Sequence, residues 1–146
     1  MTESKAEETK QGLKKTRTGE RNEMADMRKA FEEVRNMLSG EQSGHGFDHV
    51  ERVYRLALEL AEKEGADKEI VGLAALLHDC DDYKLAGEEA AEKLPNARRI
   101  LTMAGADDDM REKVLNIVAR MGYSKSLKGI RPSSLEGKVV SDADML

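Results

Sequence analysis

Three histidines and a small set of carboxylates are the residues of this chain best suited to chemistry, and the dipeptide His78-Asp79 stands out among them. It ends the run Ala74-Ala75-Leu76-Leu77 and is followed directly by Cys80, Asp81 and Asp82. Core packing does not ask for that switch. A helix that only had to stop would more often end on Gly, Asn or Lys. An imidazole beside a carboxylate, at the end of a buried helix, supplies a nitrogen and an oxygen donor on one rigid element, as a metal site needs. The other two histidines, His45 and His49, lie around the Gly-rich stretch Ser43-Gly44-His45-Gly46-Phe47-Asp48. Asp142 and Asp144 offer further oxygens near the end of the chain. Two residues apart on a helix, they point about 200° away from one another, so only one can face a site. Periodicity favours Asp142, which lies closer to the apolar stripe.

The elements that must position these groups read as helices. Met24, Met27, Phe31, Val34 and Leu38 recur at steps of three and four, which predicts one amphipathic helix ended by Ser39-Gly40. Asp48 with Glu51 forms a capping-box pattern at the start of the next, whose face is Val53, Ala57, Leu60 and Ala61. Gly65 closes it and Asp67 caps a third, apolar nearly all round and therefore central. The short turn at Gly65-Ala66 makes these two helices antiparallel neighbours, which brings His49 near His78-Asp79. Leu85 to Ala104 reads as two short helices broken by Pro95. Asp107 or Asp108 caps another, and Ser133 or Ser134 starts a last one carrying Leu135, Val139, Val140, Ala143 and Leu146. No segment alternates with period two. The fold class is all-α, with roughly six helices.

The chain has 146 residues, enough for one domain. Residues 1–23 are too polar to bury the surface that would offset ordering, and read as a disordered tail before a domain over 24–146. The net charge of −5 argues against a nucleic-acid polymer as main partner. One cysteine excludes an internal disulfide and suits a reducing cytoplasm. No apolar run is long enough to span a membrane.

His49, His78-Asp79 and Asp142-Ala143-Asp144-Met145-Leu146 together resemble the H…HD…D signature of the HD-domain superfamily of metal-dependent phosphohydrolases. The small bacterial members are the most similar, across Gly44 to Val53, Ala75 to Asp79 and Leu135 to Asp144. The resemblance covers about residues 24–146 and implies an HD-domain-like helical bundle. It implies His49, His78 and Asp79 as metal ligands. It places the last ligand in an Ala-Asp-x-Leu context, which selects Asp144 and keeps Asp142 as runner-up. It implies that Asp82 orients or deprotonates the attacking water and that Lys84 contacts substrate phosphate. Branches with two metals carry extra histidines past the HD dipeptide. This chain has none past His78, so one divalent ion (Mn, Mg, Fe, Ni, Co or Zn) is implied, and a di-iron oxygenase of the same superfamily is disfavoured. Such relatives continue past the equivalent of Asp144, so the last helix reads as cut and the C-terminal part as missing.

The expected function is hydrolysis of a phosphoester or phosphoanhydride in a nucleotide or other small phosphorylated metabolite. The rival is a catalytically weak or inactive HD-type module that binds metal or ligand. Blander readings cover the remaining residues. His45 reads as a loop residue and Cys80 as a buried spectator. Asp107-Asp108-Asp109 reads as a helix start favoured by the macrodipole. Arg98, Arg99 and Arg120 read as solvated, while Lys125, Lys128 and Arg131 could face an anionic substrate.

Overall fold

A computed structural model describes residues 25–39, 46–81, 93–121, 125 and 127–146. His45, Asp82, Lys84, the tail over 1–23 and the helix placed before Pro95 therefore lie outside the described residues. The fold is all-α. Six helices follow in order among the described residues: α1 (Met27–Leu38), α2 (Phe47–Glu64), α3 (Lys68–Leu77), α4 (Pro95–Met103), α5 (Asp108–Ala119) and α6 (Leu135–Met145).

The central element is α3, in which every residue from Ile70 to Leu77 is buried. A helix apolar on all sides must be covered on all sides, and α1, α2, α5 and α6 each pack on it. Asp67 caps its start, accepting from the Glu69 and Ile70 amides at 2.9 and 3.3 Å. Gly65 ends α2 in the left-handed conformation (φ 75°), a backbone state that costs a side chain-bearing residue free energy. The chain turns there within three residues, so α2 and α3 run antiparallel, as their short connection predicts. Both phenylalanines of the chain join α1 to α2. Phe31 meets Phe47 edge-on at 5.0 Å and Tyr54 at 5.7 Å.

One helix start differs from the expectation. Asp48 is not the cap of α2: the helix begins one residue earlier, Gly46 holds the cap position and no side chain bonds there. Glu51 is free of any capping box and pairs instead with Arg55 at 2.5 Å. Pro95 opens α4, where its missing N–H costs nothing. The residue before it, Leu94, is left-handed (φ 53°) and provides no cap. A buried carboxylate from elsewhere, Asp81, accepts from the Asn96 and Ala97 amides at 3.0 and 2.8 Å.

The last helix is held at its start from two sides. Ser134 caps it through the Gly137 amide at 3.0 Å. Glu136 reaches the turn before α3 and accepts from the Asp67 amide at 2.9 Å. Gly137 lets α6 approach this corner: a Cβ there would lie 2.5 Å from Pro132 Cβ and 3.3 Å from Ile117 Cγ1. Gly137→Ala is therefore expected to destabilise the protein by about 1–3 kcal/mol through overpacking, although alanine is the better helix former. Urea unfolding measures this, and an unchanged midpoint would show that Pro132 yields freely.

Candidate metal centre

Three elements converge on one end of the bundle. The first turn of α2 contributes His49, the end of α3 contributes His78 and Asp79, and the last turn of α6 contributes Asp144. Asp144 Oδ1 lies 3.3 Å from the Nε2 atoms of both His49 and His78. Asp79 completes the cluster, with Oδ1 3.5 Å from His78 Nε2 and Oδ2 3.8 Å from His49 Nε2. The two imidazole rings sit 5.6 Å apart, tilted 61°. Donors that share one ion at about 2.1 Å each lie roughly 3.0–3.4 Å from one another, so most of these separations are close to what shared coordination asks.

The ring of His78 is set for ligation. Its Nδ1 faces the Ala75 carbonyl at 2.6 Å, a bond that fixes the ring and turns Nε2 toward the cluster. Only 3% of the His78 side chain is exposed, and Nε2 is a buried polar atom without a hydrogen bond. The carboxylates near it are close enough to attract but do not meet hydrogen-bond geometry. An orphaned buried nitrogen costs free energy unless something pairs with it. A divalent ion would do so, and two imidazoles with two carboxylates make a mixed N/O donor set for a borderline or hard ion.

Electrostatics point the same way. Burial alone pulls the His78 pKa down, but the Asp144 carboxylate, then Asp79 and the Ala75 carbonyl, outweigh it and raise the value to about 9. Contact with His78 holds the Asp144 carboxyl below its ordinary range against the opposing effect of burial. Without a metal, the two carboxylates therefore favour the protonated form of His78.

The remaining candidates fall elsewhere. Asp142 is exposed on the outer side of α6, so of the two acids the helix turns Asp144 to the cluster. Cys80 is buried, its Sγ 3.9 Å from the Leu76 carbonyl, and burial pushes its thiol up to about 12. Such a thiol is inert. Lys125, Lys128 and Arg131 precede the start of α6, while Asp144 lies ten residues beyond the Ser134 cap, about 15 Å along the axis. A groove of about 460 Å³ beside Asp67, Lys113 and Glu136 also lies toward that far end. One residue was missed. Arg52 follows His49 by a single helical turn and places Nη2 3.3 Å from His49 Nδ1. The spacing of three residues on one helix face was the available signal.

The description of the HD-domain family matches residues 46–146, a stretch that holds all four cluster residues. The chain belongs to the HD-domain family. It is 39% identical over 114 residues to YpgQ, an uncharacterized protein of Bacillus subtilis, covering 77% of this chain and 55% of that one. Its fold matches a crystal structure from Lactobacillus plantarum with a TM-score of 0.71 at 34% identity, over 82% of this chain and 54% of that chain. It also matches an HD-superfamily hydrolase from Bacillus thuringiensis with a TM-score of 0.62 at 32% identity, over 81% and 55%. YpgQ has been crystallised in complex with ADP, and that structure matches with a TM-score of 0.57 at 32% identity, over 78% and 57%. This HD domain thus has the fold of HD-superfamily hydrolases and a His/Asp group able to hold a divalent metal. The chain spans about half the length of these relatives. No helix among the described residues is long and apolar enough to cross a membrane.

Proposed function

We propose that this HD domain is a metal-dependent phosphohydrolase that acts on a nucleotide or other small phosphorylated metabolite. The observation that carries the reading is His78 Nε2, buried without a hydrogen bond and facing the carboxylates of Asp79 and Asp144 beside His49. The ADP complex of YpgQ supports a phosphorylated ligand. One divalent ion held by these four side chains would lower the pKa of a bound water and polarise a phosphoryl oxygen.

The chain's own groups supply the rest. The Ala75 carbonyl keeps His78 oriented, as an outer partner does for a ligating imidazole. Asp79 and Asp144 bring the negative charge that selects a cation over a neutral ligand. Asp82 is proposed to orient the attacking water or take its proton, and Lys84 to contact phosphate. His49 and Asp144 are both about a quarter exposed, so the cluster opens to solvent on their side, where substrate would enter.

The test is release of phosphate or pyrophosphate from nucleoside di- and triphosphates, with Mn²⁺ and after EDTA treatment. Turnover is expected with the ion and not after EDTA. Asp144→Ala is expected to lower metal affinity and turnover by about tenfold or more, and Asp142→Ala to change them little. The reverse ranking would mean that Asp142 is the ligand. Binding of Mn²⁺ and ADP without turnover would leave a ligand-binding module.

A further inference from the structure

Arg52 is an exposed arginine that makes no ion pair with any described residue; its one polar contact is with His49 Nδ1 at 3.3 Å. A guanidinium can only donate, so His49 Nδ1 must accept. A neutral ring that accepts at Nδ1 carries its hydrogen on Nε2. That hydrogen faces Asp144 Oδ1, 3.3 Å away, so both contacts agree with one tautomer. Ligation by Nε2 needs the opposite tautomer, with a hydrogen on Nδ1 opposed to the N–H of Arg52. The Arg52 contact and a metal on His49 therefore exclude one another. His78 shows the contrast: its Nδ1 faces a carbonyl, so no side chain has to leave that ring before an ion arrives. Of the two imidazoles, only His49 has a side-chain partner that must leave, and that partner is a cation.

We infer that Arg52 takes an anionic group of the substrate, and that it is held on His49 until a divalent ion displaces it. The inference rests on the metal-dependent reading above and deepens it. Once released, the planar donor fork of Arg52 stands one helical turn from a metal ligand, suited to phosphoryl oxygens that the ion does not hold. Metal and phosphate binding are then coupled. The ion turns Arg52 from a partner of the protein into a partner of the ligand, and each would strengthen the other reciprocally.

Arg52→Met and Arg52→Lys test this with Mn²⁺ and ADP as probes on the full chain after EDTA treatment, with folding checked by thermal unfolding. In Arg52→Met the competitor for His49 is gone, so Mn²⁺ is expected to bind severalfold tighter than in wild type. ADP is expected to bind the Mn²⁺-loaded variant roughly tenfold or more weakly, the size of a lost charge-assisted contact. Arg52→Lys should recover part of the ADP affinity. A residue that merely supported the site would lose affinity for both probes. Weaker or unchanged Mn²⁺ binding in Arg52→Met, or unchanged ADP binding, overturns the inference and leaves the phosphohydrolase reading intact. A wild type that binds neither Mn²⁺ nor ADP overturns both.

Discussion

His78→Gln is expected to weaken divalent-metal binding by about a hundredfold or more and to abolish metal-dependent turnover, since loss of an outer partner alone costs tenfold to a hundredfold. The substitution keeps most of the side-chain volume and a polar end, so the tight packing against α3 survives. Among the described residues it removes the one side-chain nitrogen that is buried without a hydrogen bond. The same variant reports on the cluster without any ion. His78 has its pKa raised from 6.5 to about 9, so the protonated ring stabilises the metal-free protein fully below pH 6.5, and this contribution disappears as the pH rises through 9. Asp144 is lowered from 3.8, so its contribution is present above 3.8 and is lost as the pH falls through the lowered value. These are two views of one interaction and do not add. The metal-free wild type should therefore melt at lower temperature near pH 9 than near pH 6.5, and His78→Gln should lose that slope. Thermal unfolding in EDTA across this range decides it; an equal slope in the two proteins would show that His78 is not the proton carrier.

Asp81→Ala is expected to destabilise the protein by about 2–4 kcal/mol, a large effect for a residue two positions beyond the proposed ligand Asp79. Asp81 is 3% exposed, and both of its oxygens are used. They accept from the first amides of α4, a helix whose own cap position is occupied by a left-handed leucine. Alanine would leave those two amides unpaired at a place with little access to water. The cap also fastens the turn after α3 to a distant helix, so its loss should loosen Asp79 as well. Asp81→Asn keeps one accepting oxygen and should cost about half as much. Urea unfolding of the three proteins measures the ranking. A midpoint for Asp81→Ala within experimental error of wild type would contradict the capping role.

The features legible in the sequence are those with local causes. Helices α1, α2, α3, α5 and α6 follow from apolar residues at steps of three and four. Asp67, Asp107 and Ser134 act as the caps their positions predict. The meeting of His49 with His78 and Asp79 follows from a three-residue turn between two helices. What the sequence hid depends on contacts between distant residues. Nothing near Pro95 announces that Asp81, fourteen positions earlier, will cap its helix. Asp144 is instructive because periodicity favoured its neighbour. Counting Leu135 and Leu146 as core put Asp142 on the apolar stripe, but Leu135 is 44% exposed and Leu146 85%. The buried stripe runs instead through Gly137 and Val140, and four residues on it reaches Asp144. A glycine hid that stripe, because its burial comes from close approach and not from an apolar side chain. The motif resemblance favoured Asp144, the acid that the fold turns toward His49 and His78. It included Arg52 in the matching block Gly44 to Val53 but assigned it no role, and its interest lies in a contact that only the folded chain makes.

His49, His78, Asp79 and Asp144 are proposed to hold one divalent ion together. Calorimetric titration of Mn²⁺ into the EDTA-treated protein at about pH 7, in two buffers of different ionisation heat, tests it most directly. Because His78 carries a proton with a pKa of about 9 in the metal-free cluster, ligation must expel that proton. One saturable ion per chain is expected, bound with proton release, and both are expected to be absent in His78→Gln. No saturable binding, or binding that His78→Gln leaves unchanged, would contradict it.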